Sequence, residues 1–221
     1  MRIVAPPGVF SPISDTWMLA EALRRELRPG ARVLDLCTGS GALAISAAQA
    51  GARATAVDLS RRAALTARLN ARLNAVRVRV LRGSLFEPVP GERFDVIVSN
   101  PPYVPCADPE LPRRGLRRAW DAGTDGRVLL DRILDEAPRH LAPGGSVLVV
   151  QSTIIGEEET LERLRGGALA AEVVARREGP LGPLMAGRRA HLEAQGLLPP
   201  GQDREELLVI RGRRAGALAP V

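Results

Sequence analysis

The chain has 221 residues and a formal net charge of +6, and its basic residues are all arginine. This length suits one domain with a substantial core, the two cysteines cannot build a disulfide framework, and no apolar stretch reaches the roughly 18 residues that cross a bilayer. These properties predict a cytoplasmic protein, and the scattered charge and 3% aromatic content do not favour a dedicated nucleic-acid surface.

Apolar runs alternate with segments of helical periodicity along the chain. Residues 16–27 have the pattern of an amphipathic N-terminal helix that Ser14 or Asp15 would cap. The alternation predicts an α/β fold with a doubly wound, mostly parallel, seven-stranded sheet. The other predicted helices are 41–50, 60–73, 127–141 and 157–164. The predicted strands are 32–36, 53–57, 76–81, 94–99, 146–151, 171–176 and 207–211.

The sequence divides into three predicted parts. Residues 1–30 form an N-terminal segment and helix, residues 31–213 form the main domain, and residues 214–221 form a disordered tail. Within the main domain, residues 104–126 show no clear periodicity, and loops of such length are uncommon unless they are functional or mobile. Residues 179–203 are rich in Gly, Pro and charge, which predicts an irregular excursion before the last strand.

A glycine-rich turn follows the first predicted strand and opens the next helix. Gly39 and Gly41 let the backbone approach a ligand closely, and the helix start offers free N–H donors. Asp58 ends the following strand, where a carboxylate can accept hydrogen bonds from both hydroxyls of a ribose. This spacing fits NAD as well as S-adenosylmethionine, but Asp35 places a negative charge that favours a ligand with sulfonium and ammonium groups. Alternatively, Asp35 only caps its own loop and Asp58 only caps the following helix.

The residues after the third strand could hold an adenine ring. Ser84 stands where the adenine amino group would need an acceptor, although a hydroxyl accepts less strongly than a carboxylate. Leu85 and Phe86 could line the same pocket, or they could belong to the core. The cysteines and histidines show no metal-ligand spacing, so no metal site is predicted.

The tetrapeptide Asn100-Pro101-Pro102-Tyr103 directly follows a buried strand. In α/β folds ligands bind at the carboxyl ends of the strands. The Asn100 side chain and the Pro101 carbonyl can both accept hydrogen bonds from an NH2 group, and Tyr103 offers a flat face beside them. Two such acceptors keep the lone pair of an amide or amino nitrogen in line with an electrophile. An ordinary proline-rich turn is the alternative.

These segments together resemble the class I S-adenosylmethionine-dependent methyltransferases, and the tetrapeptide resembles that of enzymes acting on planar nitrogens. Residues 9–19 are similar to the opening segment of the protein glutamine-N5 methyltransferases that modify peptide release factors. Residues 119–127 and 130–132 resemble the segment after the catalytic loop in the short branch of that family, which lacks the long N-terminal helical domain. The resemblance covers roughly residues 9–178.

The resemblance implies a Rossmann-like fold, S-adenosylmethionine as cofactor and a protein substrate such as a release factor. It implies that Asn100 and Pro101 hold the glutamine amide while Pro102 and Tyr103 complete the catalytic loop. Short-branch relatives can also need a small activating partner subunit. Ser84 departs from the acidic residue usual at its position, which predicts a weaker hold on adenine. The implied cofactor-binding residues are Thr16, Asp35, Thr38, Gly39, Gly41, Asp58, Leu59, Ser84, Leu85 and Asn100.

Other functions remain open at this point. N6-adenine or N2-guanine methylation of DNA or RNA would use the same tetrapeptide after base flipping, with Tyr103 as the stacking partner. No separate basic recognition module is visible for that role. A small-molecule biosynthetic methyltransferase is a further alternative, because residues 104–118 match little of the family. A nicotinamide oxidoreductase would leave the tetrapeptide unexplained, and a non-enzymatic scaffold would leave Asn100 without a use.

Overall fold

The computed structural model describes residues 1–112 and 115–216. The strands are β1 Arg32–Leu36, β2 Arg53–Asp58, β3 Val78–Arg82, β4 Phe94–Ser99, β5 Leu141–Ser152, β6 Leu169–Pro180 and β7 Arg204–Arg214. The helices are α1 Ser14–Glu26, α2 Ala42–Gln49, α3 Arg61–Leu73, α4 Val128–His140, α5 Glu157–Gly166, α6 Pro183–Ala186 and α7 Arg189–Ala194. Short 3-10 helices span Leu116–Ala119 and Thr153–Ile155.

The described strands form one seven-stranded sheet in the order β3-β2-β1-β4-β5-β7-β6. The pairs among β1 to β5 are parallel, whereas β7 runs antiparallel to β5 and β6. The predicted fold class is therefore confirmed. Because β7 runs the opposite way, its first residues lie where the parallel strands end, and Leu207 pairs with Ser152 at the end of β5.

The core lies on both faces of the sheet. Leu34 and Ile97 point to the face covered by α4 and α5, and Val33 and Val98 point to the face covered by α1, α2 and α3. Successive strand residues face opposite sides, so a strand buried on both faces needs a nearly continuous apolar run. Burying each large side chain contributes about 1.5–3 kcal/mol. This two-sided core makes the sheet a rigid support for the loops at its carboxyl edge.

The segment before the last strand corrects the sequence analysis. Residues 179–203 are not wholly irregular, because they contain the short helices α6 and α7. A third, smaller apolar cluster anchors them to the loop after β4. Helices of this length give too few turns for a periodic signal, which is why the sequence pattern missed them. The members of this cluster are Val104, Ile154, Leu181, Met185, Leu192 and Leu198.

Asn70 of α3 and Asn74, which directly follows that helix, tie the N-terminal segment to the domain. The Asn70 side chain exchanges hydrogen bonds with the backbone of Val4, at 3.0 and 2.8 Å. Asn74 does the same with Arg2, at 2.8 and 2.6 Å. Asn70 is fully buried and also donates to the carbonyl of Ser40, at 2.8 Å. The N-terminal segment and the glycine-rich turn are therefore held by one side chain.

The two ends of the described chain are joined to the sheet. Arg214 belongs to β7, one residue beyond the predicted end of the main domain, and the N–H of Gly144 bonds to the carbonyl of Ala215 at 3.1 Å. The rest of the predicted tail, residues 217–221, lies outside the described residues, as do residues 113–114 of the predicted loop. Among the described helices, none is both long and apolar enough to cross a bilayer.

Candidate active site

A cavity of about 660 Å³ opens where β1, β2 and β4 end. Its volume is in the range of pockets that hold cofactor-sized ligands. The N-terminal segment covers one side, and the loop after β4 and the start of β7 form the other. The predicted site residues that line it are Gly39, Asp58, Leu59, Ser84, Leu85, Asn100, Pro101, Pro102 and Tyr103.

Four predicted cofactor residues do not line the cavity but lie behind its wall: Thr16, Asp35, Thr38 and Gly41. Gly41 has a φ of 86°, and an added Cβ would lie 3.0 Å from the Cβ of Ala67 on α3. Glycine is therefore needed for packing the turn against α3 rather than for approach to a ligand. Contact of these four residues with a bound cofactor stays a prediction. In the structure they contact other residues and stabilise the wall of the cavity.

Asp35 stabilises the glycine-rich turn through hydrogen bonds. Its Oδ2 accepts a hydrogen bond from the Thr38 hydroxyl at 2.5 Å and from the backbone N–H of Ala44 at 3.0 Å. The side chain is fully buried, and its Oδ1 has no hydrogen-bond partner among the described residues. Burial, with a smaller effect from the charge of Asp58, raises the pKa of Asp35 to about 7. The observed contacts of Asp35 are thus those expected if this carboxylate caps its own loop.

Asp58 is the carboxylate that lines the cavity at the end of β2. Its Oδ2 accepts the N–H of Gly39 at 2.9 Å, and its Oδ1 accepts the N–H of Ser60 at 2.8 Å. Burial raises the pKa of Asp58, and the two backbone donors oppose that change. Each carboxylate oxygen keeps a further lone pair. The group can therefore accept two hydroxyl hydrogens, which fits the ribose of S-adenosylmethionine.

The far end of the cavity is lined by Ser84 and Leu85. The hydroxyl of Ser84 accepts a long hydrogen bond of 3.4 Å from Arg132 and retains a second lone pair. Phe86 lies instead in the core, where its ring stacks on His140 with centroids 4.5 Å apart. The polar groups at this end are the Ser84 hydroxyl and the Arg132 guanidinium, set beside the apolar surface of Leu85, and they can border a flat, uncharged ring.

Two residues of α1 fix the orientation of the Asn100 amide. Asp15 is 2% exposed, and its Oδ1 accepts the hydroxyl of Thr16 at 3.1 Å. Because that hydroxyl gives its only proton to Asp15, its oxygen can only accept from Asn100, whose Nδ2 lies 3.1 Å away. The Oδ1 of Asn100 is thereby left free as an acceptor on a residue that lines the cavity.

The same carboxylate reaches the other end of the tetrapeptide. The hydroxyl of Tyr103 donates to the Oδ2 of Asp15 at 2.9 Å. Burial, then the charge of Asp15, raises the pKa of Tyr103, so the hydroxyl stays protonated. Sequence analysis took Asp15 only for a helix cap. In fact the N-cap position, Ile13, makes no side-chain cap, and Asp15 lies inside the first turn.

The loop after the tetrapeptide is held by an isolated parallel bridge between Val104 and Asp121. The N–H of Val104 bonds to the carbonyl of Trp120 at 2.8 Å. The buried side chain of Asp121 sits between two guanidinium groups, those of Arg117 at 2.6 Å and Arg188. The segment around Trp120, which carries part of the resemblance, therefore supports the loop that contains the tetrapeptide.

The start of β7 supplies a wall that sequence analysis missed. Glu205 lines the cavity, and its Oε1 accepts the backbone N–H of Gly182 at 2.7 Å. The only sequence signal was its place at the start of the last strand, because antiparallel pairing brings that end to the ligand edge. Cys37 also lines the cavity, and burial raises the pKa of its thiol. Among the described residues, no group of three or more His, Cys, Asp or Glu side chains could hold a metal ion.

Comparison with known proteins agrees with this geometry. The model of the methyltransferase small domain family matches residues 1–111. An archaeal protein of Methanocaldococcus jannaschii, assigned as a protein N5-glutamine methyltransferase, is 37% identical over 84% of this chain and 93% of its own length. The release factor glutamine methyltransferase of Geobacter sulfurreducens is 39% identical over 73% of this chain, which spans 58% of that bacterial enzyme.

A solved structure shows the same fold. The E. cuniculi methyltransferase responsible for methylating the translation termination factor eRF1, solved as a two-protein complex, superposes with a TM-score of 0.66. It is 24% identical, and the match covers 94% of this chain and 99% of that one. The chain therefore belongs to the protein N5-glutamine methyltransferase family, whose members take their methyl group from S-adenosylmethionine.

Proposed function

We propose that the enzyme methylates the side-chain amide nitrogen of a glutamine in a protein, and that this protein is a release factor. The observation that carries the proposal is the fixed polarity of Asn100. A donor-oriented amide at this position would repel an NH2 group, whereas the Asp15–Thr16 pair leaves an acceptor facing it. The family relatives with this activity support the same acceptor.

The cofactor end of the cavity holds the methyl donor. Asp58 would accept the ribose hydroxyls, while Ser84 and Leu85 would border the adenine. S-adenosylmethionine supplies an electrophilic methyl carbon on a sulfonium group. Because that positive charge is lost during transfer, a dry cavity with few competing dipoles favours the transition state.

The acceptor end holds the amide. The Asn100 Oδ1 and the Pro101 carbonyl would each accept one N–H of the glutamine, which fixes the nitrogen lone pair toward the methyl group. Asp15 is not needed as a base; its hydrogen bonds from Thr16 and Tyr103 give it the role of holding the two ends of the tetrapeptide. The amide nitrogen becomes acidic only as it takes the methyl group, so its proton can leave late to water.

The charges at the acceptor end favour a polypeptide over a nucleic acid. Asp15 and Glu205 are both more than nine-tenths buried and line this end of the cavity. Carboxylates here would repel the phosphates beside a flipped base, but they suit the N–H donors of a peptide chain. Since release factors act in translation, the reaction is placed in the cytoplasm.

The decisive experiment uses radiolabelled S-adenosylmethionine with release factor, ribosomal proteins, RNA and DNA offered separately. We expect label on a glutamine of the release factor, identified by peptide mass spectrometry, and none with Asn100→Ala. Label in a nucleic-acid fraction alone would overturn the proposal. Assays with and without a small partner protein from the same cell test the predicted activating subunit. Full activity of the chain alone would remove that prediction.

A further inference from the structure

Glu205 carries an acceptor that none of the described residues uses. Its side chain is 8% exposed and lines the cavity. One oxygen, Oε1, accepts the N–H of Gly182, but Oε2 is buried without a hydrogen-bond partner among the described residues. Leaving a buried carboxylate oxygen without a donor costs free energy, and such oxygens are normally satisfied by water or a ligand.

The fold places this oxygen at the acceptor end rather than the cofactor end. Glu205 lies two and four positions before Leu207 and Val209, so it shares their face of β7, which packs in the same cluster as α1. That is the helix that carries Asp15. Glu205 and Tyr103 line the same cavity, and the charge of Glu205 contributes to raising the pKa of Tyr103.

The donor for Oε2 must come from a part of the substrate other than the glutamine amide. The two N–H bonds of that amide are already matched by Asn100 and Pro101. The Tyr103 hydroxyl is bound to Asp15. The wall beside Glu205 is formed by residues 182–185, which carry no charge. A neutral main-chain N–H fits between this apolar wall and the carboxylate, as the N–H of Gly182 already does on the other oxygen.

We propose that Glu205 is a specificity-determining residue that accepts a main-chain N–H of the acceptor polypeptide next to the target glutamine. This inference rests on the proposed function and adds to it a reason for preferring glutamine in a peptide. A free amide or a small metabolite has no such N–H in reach. It would leave the carboxylate unpaired, and sites of this kind strongly reject analogues that lack the matching group.

The first test is Glu205→Gln. The N–H of Gly182 holds the carbonyl oxygen of the new amide, so its NH2 replaces Oε2 and faces the substrate as a donor. We expect kcat/KM for a short peptide centred on the methylated glutamine to fall roughly 10- to 100-fold, through KM, with unchanged affinity for S-adenosylmethionine. The neighbouring Glu206→Gln is the matched control, because Glu206 pairs with Arg176 at the surface. It should leave KM unchanged.

The second test changes the substrate instead of the enzyme. One peptide has an ester in place of the amide N–H just before the glutamine, and a second has it just after. At one of these two positions the ester should lower kcat/KM of the wild-type enzyme by the same factor as Glu205→Gln does. The same ester should not lower kcat/KM of the Glu205→Gln variant any further, since both changes remove the same hydrogen bond. Replacing basic side chains of the peptide should have no such effect, and a matching loss there would overturn the main-chain assignment.

The outcomes separate this inference from the function beneath it. Wild-type enzyme that transfers no methyl group to any glutamine peptide, either alone or with the small partner protein, overturns the proposed function and this inference with it. Wild-type enzyme that methylates the peptide, with an equal KM for Glu205→Gln and for both esters, overturns the role of Glu205 alone. The ester arm needs only the wild-type protein, so it decides the matter even where Glu205→Gln fails to fold.

Discussion

The two ends of the cavity are assembled in different ways. The cofactor end is made by the turns after β1, β2 and β3, and its hydrogen bond from Gly39 to Asp58 joins residues 19 positions apart. At the acceptor end, Asn100 bonds to Thr16 and Tyr103 to Asp15 across 84 and 88 positions. The cofactor end is therefore specified by local sequence, whereas the acceptor end exists only once the sheet has formed.

The largest effect expected from this division is that of Asn100→Ala. Removing the side-chain acceptor should lower the rate of methyl transfer at least about 10³-fold, because positioning and oriented dipoles supply several kcal/mol. Calorimetric titration should show nearly unchanged affinity for S-adenosylmethionine. Loss of cofactor binding in this variant would show that the two ends are not separate and would contradict the role given to Asn100.

The same division explains what could be predicted from the sequence. The order of the strands and of the longer helices α1 to α5, the place of Asp58 and the tetrapeptide all follow from short patterns, and the structure has them as predicted. Glu205 was missed as a site residue because it belongs to no local motif, and Asp15, although it lies in the opening segment that carries the resemblance, was interpreted only as a helix cap. Their roles depend on which face of α1 or β7 meets the carboxyl edge. Thr16 and Asp35 were assigned to the cofactor by resemblance, whereas their contacts are with other parts of the wall.

Thr16→Val tests whether Thr16 binds the cofactor or orients the Asn100 amide. Valine has nearly the same shape but accepts no hydrogen bond, so Asn100 loses the partner that fixes its orientation. We expect kcat to fall roughly 10- to 100-fold with unchanged cofactor affinity. Thr16→Ser keeps the hydroxyl and should retain most of the rate. A fall in affinity for S-adenosylmethionine that matches the fall in rate would instead support Thr16 as a cofactor ligand.

Asp58→Ala tests the role of the cofactor end of the cavity in binding S-adenosylmethionine. Losing a carboxylate that accepts two hydroxyl hydrogens should raise the dissociation constant for S-adenosylmethionine by about tenfold or more, as measured by calorimetry. Ser60→Ala is the control for the structural part of this change. It removes the α3 cap, in which Ser60 accepts the N–H of Ala63 at 3.3 Å, and should cost about 1 kcal/mol of stability without weakening the cofactor. An unaltered dissociation constant in Asp58→Ala would remove the ribose assignment.

The smallest effect concerns Asp35 and the dependence of stability on pH. Its pKa is raised from 3.8 to about 7 in the folded protein, so the folded state keeps a proton that the unfolded state releases at lower pH. The resulting stabilisation is complete below the unfolded pKa and is lost as the pH rises through the folded one. Within that window each pH unit removes up to about 1.4 kcal/mol.

Asp35→Asn cannot titrate, so the variant should lack this slope. Between pH 5 and pH 6, urea denaturation should show the wild-type free energy of unfolding falling by about 1 kcal/mol relative to the variant. Parallel pH profiles would mean that Asp35 is already ionised when folded and available to a cationic ligand. The result therefore decides whether the carboxyl under the glycine-rich turn braces the cofactor end or contributes charge to it.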